Sequence, residues 1–448
     1  MPSIPFHPAD LFQIDRLSFV LAGLILFVIA NVTAYSARYL AGDRNYRAHR
    51  WQVLLLAASV LLMAISDNLW LFLAAWGAGN FLLVKLMIHK SDWEAALNSG
   101  RLAFRTFVLG FVLLAAGFWL LSQSTNSASI SEINRTTGVD SPQHFVGLLL
   151  IAVAALTQSA AWPFHRWLTS SLNSPTPVSA LMHAGLVNGG GFLLARFAPL
   201  YASEPLLLHG LFVAGLITAI VGTFWKLVQT DIKRMLACST MGQMGFMLMQ
   251  VGMGLFAPAI SHLCWHGLFK AYLFLSAGSV VKEKRRVVVN TLSPLRILVA
   301  CLAGGCGAVT FALTSGTHLS VTSTEAVIVA LAFMCATQLA AGLLEKPLTA
   351  LRMAGAVIVG SGSGALYGLS IRLIESAVPS LHATRPLPMD AVYVTGLAAI
   401  LLMWIAMYFN LPVRLQSFNA WKWLYMAALN GSQPQSRTVT ANRTAYQS

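Results

Sequence analysis

The chain has 448 residues, 57% of them hydrophobic and 10% charged, with a mean hydropathy of +0.69. Soluble domains carry about 25% charged residues, so this composition excludes an ordinary water-exposed enzyme scaffold. The 29 Lys and Arg outnumber the 15 Asp and Glu for a net charge of +14. In so apolar a chain, that excess points to membrane topology rather than to nucleic acid.

A membrane-crossing helix needs about 20 mostly apolar residues. In chain order, thirteen stretches answer to that description: 17–37, 51–66, 69–88, 103–121, 145–162, 177–196, 206–226, 235–254, 258–281, 296–314, 326–344, 353–371 and 391–409. The first has neither a basic leader nor a small-residue cleavage site, so it reads as a retained span. The turn Ser66-Asp67-Asn68 separates the second and third, and the fifth ends at Trp162-Pro163, where proline breaks or bends a helix. Residues 1–410 thus form one all-α polytopic transmembrane domain. Residues 411–448 begin with an amphipathic stretch, Trp421-Lys422-Trp423-Leu424-Tyr425, suited to the membrane interface. After Asn430 the tail turns polar and is expected to be disordered and cytoplasmic.

Placing the N-terminus outside puts 23 basic residues in cytoplasmic segments and five outside, namely Arg16, Arg135, Arg196, Arg372 and Arg385. That split predicts a multi-pass protein of the cell inner membrane with its C-terminus in the cytoplasm. Lys270 alone belongs to neither set, because it falls inside a membrane run.

Ionisable residues at bilayer depth are costly and ask for a reason. His262, His266 and Lys270 are spaced by four, so each drifts only about 40° around the helix from the last and the three form one stripe. The stripe reads as a line of proton-exchange sites, with structural hydrogen bonding as the alternative. Metal binding is disfavoured, since His262-Leu-Cys-Trp-His266 lacks the Glu of a zinc-protease helix and the ammonium one turn away repels a cation. His183 and Asn188 either extend this polar path or bond between helices. Gly189-Gly190-Gly191 suits close helix packing, not phosphate, because no P-loop lysine follows. Gly360, Gly364 and Gly368 mark a second packing face.

The five cysteines, Cys238, Cys264, Cys301, Cys306 and Cys335, all lie in apolar runs without a CxxC. They read as small buried side chains rather than disulfides or metal ligands. All acidic residues fall at span ends or in loops, so no buried carboxylate pair and no catalytic residue is expected. The chain is read as a transporter subunit, not an enzyme, with no cofactor or metal of its own.

Three longer motifs carry a family resemblance. They are Trp162-Pro-Phe-His165-Arg-Trp167-Leu followed by Ser174-Pro-Thr-Pro-Val-Ser-Ala-Leu-Met-His183; Thr230-Asp231-Ile-Lys233 through Thr240-Met-Gly-Gln243; and His262-x3-His266-x3-Lys270. Together they resemble the Mrp-antiporter-like, proton-pumping subunits of respiratory complex I. Within that superfamily, His183–Arg196, Cys238–Gln250 and His266–Ser279 resemble the DabB family of membrane subunits of inorganic carbon transporters. The resemblance implies inverted repeats with broken helices. It also implies a proton pathway through Lys270, His266, His262, His183, Lys233 and Asp231, with Gln158, Asn188 and Gln243 as accessory polar groups. A DabA-like, zinc-containing protein that hydrates CO2 is the implied partner in a hetero-complex. A cation/proton antiporter or a proton-pumping subunit of a complex I-like NADH-quinone oxidoreductase is the alternative. The chain departs from the superfamily where Gly77 follows Trp76 in place of a glutamate, where Gln158 replaces a lysine, and between Leu295 and Thr314, where a further lysine is missing.

Overall fold

The computed structural model describes residues 11–439 except 137, 139–140, 279–292, 319, 346–347, 379–380, 382–385, 410 and 412–416. The described chain is helical, with only isolated β-bridges between connectors. It divides into two units, one formed by residues 1–252, 262–280 and 424–448, the other by residues 253–261 and 281–423. The basic loop 282–286 that contributes to the charge asymmetry lies outside the described residues.

The first unit opens with α1 (Arg16–Tyr39), α2 (Tyr46–Ile65), α3 (Leu69–Met87) and α4 (Glu94–Thr125). Short polar residues cap α1 and α3. Asp15 accepts from the Ser18 N–H at 2.8 Å, and Asn68 accepts from the Trp70 and Leu71 N–H groups at 3.0 and 3.2 Å. A one-turn α5 (Ile130–Ile133) precedes α6 (Pro142–Gln158). That helix stops four residues before the expected end. Ala160 adopts a left-handed φ of 50°, and its neighbour Ala161 closes back on the Leu156 carbonyl at 3.0 Å, a helix-ending loop that usually employs glycine. The chain then passes through α7 (Arg166–Thr169).

The span expected over 177–196 is broken in two. α8 (Thr176–Ala184) and α9 (Gly189–Arg196) are joined by Gly185 and a single 3-10 turn, Leu186–Asn188. The short α10 (Ala198–Ala202) leads to α11 (Pro205–Val228) and α12 (Ile232–Gly252), which pack closely against each other. Their approach depends on glycine: a Cβ on Gly222 would lie 2.5 Å from the Gly242 nitrogen. α13 (Phe256–Leu275) enters the first unit at His262.

The second unit contains α14 (Pro294–Ser315), α15 (Glu325–Leu343), α16 (Ala350–Ala377) and α17 (Ala391–Tyr408). The stripe Gly360, Gly364 and Gly368 lies against α14, and a Cβ on Gly364 would sit 2.0 Å from the Gly307 carbonyl oxygen. The stripe is therefore a packing face, as its spacing suggests.

Ten of the thirteen expected spans are helices long and apolar enough to cross a membrane among the described residues, counting α8–α9 as one. The other three expected spans correspond to α6, which is 17 residues long, and to α12 and α13, which carry more polar groups. Cysteine burial is only partly as expected. Cys238 is buried, but Cys306 and Cys335 are exposed on the helix surface, and all five are free thiols.

The C-terminal region runs through α18 (Asn419–Gly431). Trp423, Leu424, Tyr425 and Met426 are exposed on it, while Ala428 packs on Trp225, Cys238 and Met241. Residues 432–439, which the composition reads as disordered, lie against the first unit. Gln229 donates to the Ser432 hydroxyl at 2.7 Å, Asn173 to the Thr438 carbonyl at 2.7 Å and Asn98 to the Arg437 carbonyl at 3.0 Å. A polar segment needs little hydrophobic burial when side-chain amides satisfy its backbone.

Candidate functional site

The break between α8 and α9 frees backbone carbonyls in an apolar setting, where an unsatisfied group costs several kcal/mol. Two side-chain amides meet that demand. Asn188 donates to the Ala184 carbonyl at 2.8 Å, and Gln158 on α6 donates to the Leu186 carbonyl at 3.1 Å. Gln158 is held in turn by Asn80 on α3 through reciprocal amide bonds of 3.0 and 3.1 Å. Gln158 and Asn188 therefore serve the break itself.

Donating from its nitrogen orients Asn188 so that its oxygen faces the Nδ1 of His266 at 3.2 Å. An amide oxygen only accepts, so the proton of neutral His266 sits on Nδ1. Its Nε2 is buried without a hydrogen-bond partner among the described residues. His262 stacks near-parallel on His266 with ring centroids 6.1 Å apart, and its Nε2 likewise has no hydrogen-bond partner among the described residues. Gln243 reaches His262 through its backbone, and Phe246 meets the same ring edge-on at 5.0 Å.

One turn beyond, Lys270 is 1% exposed and donates to the Ser239 hydroxyl of α12 at 2.8 Å. No ion pair to Lys270 occurs among the described residues. The adjacent Thr240 donates to the Leu236 carbonyl at 3.0 Å, so its oxygen accepts from His183 Nδ1 at 3.1 Å. His183 also stacks on Phe274 at 4.3 Å. Thus α8, α12, α13 and the break converge on one cluster of His183, Asn188, His262, His266 and Lys270, linked by Ser239 and Thr240.

Lys233 and Asp231 stand at the end of α12. Lys233 is roughly 10 Å along the helix axis from Thr240, by seven residues of helical rise. Its ammonium donates to the Ser174 carbonyl at 3.0 Å and the Leu172 carbonyl at 3.5 Å, clamping the loop before α8. Asp231 is exposed and caps α12 by accepting from the Arg234 N–H at 2.9 Å. The structure does not pair these two with the central cluster through hydrogen bonds.

Sequence reasoning passed over Asn80, Ser239 and Thr240. Asn80, a lone amide in the third apolar run, was a legible signal. The two hydroxyls were not, because serine and threonine in apolar helices usually bond their own helix. It also passed over the ion pair of Arg196 with Asp15, which ties the end of α9 to the start of α1. Among the described residues no three His, Cys, Asp or Glu side chains gather as a metal site.

The class defined so far is that of a polytopic helical membrane protein with a broken helix beside buried histidines and a lysine. Residues 66–303 match the transmembrane family described as NADH:quinone oxidoreductase/Mrp antiporter, and the chain belongs to that family. It is 39% identical over 284 residues to the probable inorganic carbon transporter subunit DabB1 of Halothiobacillus neapolitanus, covering 61% of this chain and 50% of the relative. It is 38% identical over 280 residues to the probable inorganic carbon transporter subunit DabB of Bacillus subtilis, covering 60% and 54%. Identity is 33% over 285 residues, covering 62% and 42%, to the chloroplastic NAD(P)H-quinone oxidoreductase subunit 5 of Chaetosphaeridium globosum. The chain spans about half the length of the curated relatives it matches. Among solved structures, the Mrp complex from Dietzia sp. DQ12-45-1b has the same fold, with a TM-score of 0.59 at 22% identity over 95% of this chain and 53% of that one.

Proposed function

We propose that this protein is the proton-conducting membrane subunit of an inorganic carbon transporter and works beside a zinc-containing, CO2-hydrating partner. The observation that carries the reading is the buried Lys270, bonded to a hydroxyl, beside His262 and His266, whose Nε2 atoms have no partner among the described residues. Such groups take up and release protons without a fixed counter-charge holding either state. The relatives named as inorganic carbon transporter subunits support the carbon-linked reading.

In this reading protons enter from outside, pass His262, His266, Lys270 and His183, and leave near Lys233 and Asp231. The membrane is the cell inner membrane, with the N-terminus outside. Each transfer moves a proton between a nitrogen lone pair and a neighbouring N–H or O–H, with Ser239 and Thr240 able to donate and accept in between. The chain moves protons, and catalysis resides in the partner. A complex I-like or antiporter role is the second reading, supported by the quinone oxidoreductase relative.

Lys270→Ala tests the assignment. Co-expressed with its partner, the variant is expected to lose rescue of a carbonic-anhydrase-deficient host at ambient CO2 while accumulating normally in the membrane. Normal rescue removes Lys270 from the pathway. Rescue that instead depends on Na⁺ or K⁺, or co-purification with quinone-reducing subunits, selects the second reading.

A further inference from the structure

The segment 432–439 meets the first unit at a place that the proton reading leaves unexplained, the loop 170–175 between α7 and α8. Hydrogen bonds fasten it there. The Gln435 N–H donates to the Ser170 hydroxyl at 3.1 Å, and Asn173 donates to the Thr438 carbonyl at 2.7 Å. Beside that loop, Asn98 of α4 donates to the Arg437 carbonyl at 3.0 Å and Gln229 to the Ser432 hydroxyl at 2.7 Å. Arg234 of α12 donates to the Gln433 side-chain oxygen at 3.2 Å.

The same loop is held a second time. Lys233 donates to the Ser174 carbonyl at 3.0 Å and to the Leu172 carbonyl at 3.5 Å. Carbonyls 172 and 174 thus serve the lysine, while Ser170 and Asn173 serve the tail. One short loop joins the tail to the residue near which protons are read to leave.

The bonding of Lys233 has a chemical consequence. A backbone carbonyl accepts a hydrogen bond but is no base that takes a proton and passes it on. A proton on Lys233 leaves only when the ammonium turns from these carbonyls to water or to an exposed carboxylate such as Asp231. Ser174 is 1% exposed, so its carbonyl then loses its partner unless the loop moves as well. The bonds from the tail to Ser170 and Asn173 oppose that movement.

The tail has little apolar anchorage. Its apolar side chains are Pro434, which is buried, and Val439, which is 36% exposed. Hydrogen bonds therefore do most of the holding, and each is replaceable by water at small net cost. A segment held in this way opens locally while the helices beneath it stay folded. We propose that residues 432–439 are a releasable latch on the proton exit. Fastened, as in this structure, the segment holds the loop against Lys233 and restrains proton flow; released, it frees both. The latch rests on the proton-conducting reading above.

Two substitutions in the tail loosen it without touching the pathway. Thr438 is 1% exposed, so the indole of Thr438→Trp cannot be housed and expels the segment. Gln435 has a φ of −59°, which proline adopts, so Gln435→Pro deletes the N–H that reaches Ser170 without straining the backbone. Each full-length variant is reconstituted in liposomes for proton flux. Limited proteolysis of 432–439 reports release, and a thermal melt reports the fold. Loss of one neutral bond raises the open population about fivefold, and overpacking a buried position raises it about tenfold. Flux per folded molecule is expected to rise by those factors in Gln435→Pro and Thr438→Trp, and to stay at the wild-type level in Thr438→Ser. Faster cutting with flux at or below the wild-type level overturns the latch. So does a segment that stays protected in both variants, since a latch must release. Lys270→Ala in the released background separates the latch from the reading beneath it. If release brings no gain while Lys270→Ala abolishes flux, the latch falls and the pathway stands. Extra flux that survives Lys270→Ala is a leak, and it overturns the pathway reading and the latch with it.

Discussion

The two units bury different chemistry. Among the described residues, the first buries His183, Asn188, His262, His266, Lys270, Gln158 and Arg196, while the polar side chains buried in the second are only Ser261, Ser315, Thr324 and Thr337. The second unit gains its contacts from backbone proximity, with Gly360 against the Ala303 carbonyl and Gly364 against that of Gly307. Some hydroxyls there bond their own helices, as Thr337 does to the Phe333 carbonyl at 2.8 Å, and others bridge elements, as Thr310 does to the Ser361 carbonyl at 2.8 Å. In an apolar solvent, close packing of small residues is a sufficient source of association. The first unit instead keeps groups that are expensive at depth, and this is the expected signature of a part that handles charge.

The contrast can be broken in either direction. Lys270→Ala should leave the melting profile near wild type and reduce proton flux into liposomes to background, the largest functional effect predicted. Gly364→Leu in the second unit should do the reverse. Its new side chain cannot fit beside the Gly307 carbonyl, and overpacking of this kind costs about 3 kcal/mol. Thermal denaturation in detergent should show the loss, while flux per folded molecule stays near wild type. If Gly364→Leu abolished flux without lowering stability, the second unit would be more than a packed support.

Asn188→Ala sharpens the division within the first unit, because it strips a partner from the Ala184 carbonyl and from His266 at once. Buried groups left unpaired cost about 1–3 kcal/mol, so a stability loss of about 2 kcal/mol is expected, together with a flux about tenfold lower. Stability lost without any change in flux would confine Asn188 to repairing the helix break.

Legibility in the sequence followed the range of the interaction. The stripe of His262, His266 and Lys270 is set by helical period alone, and so is the glycine face of α16. The position of the break was not visible, because 177–196 reads as one apolar run. Of the two amides that stabilise the break, Asn188 is local and Gln158 lies 28 residues from the carbonyl it serves. The same holds for Ser239 and Thr240, which meet Lys270 and His183 on other helices. Composition also misjudged residues 432–439, since amides at positions 98, 173 and 229 supply bonds that no property of the tail announces.

That tail gives a smaller prediction. Asn98→Ala and Asn173→Ala each remove one bond to its backbone, worth about 1 kcal/mol. Limited proteolysis should then cut the 432–439 segment several-fold faster, with α11 and α12 still protected. An unchanged cutting rate in the double variant would mean that Ala428 and the α18 contacts hold the segment without them.

The smallest effect concerns the α1–α2 connection. The Asn45 N–H, which donates to Asp43 at 2.8 Å, holds that carboxyl below its ordinary range, with His89 at 3.3 Å adding to the effect. A carboxyl depressed in the folded state contributes stability above its unfolded pKa and loses it as pH falls through the folded value. The contribution should therefore be complete at neutral pH and disappear below about pH 4, the reference range of aspartate. Comparing melts of wild type and Asp43→Asn across that range checks the sign: the variants should differ slightly at pH 7 and converge in acid. A gap that widens as pH falls would reverse the assignment.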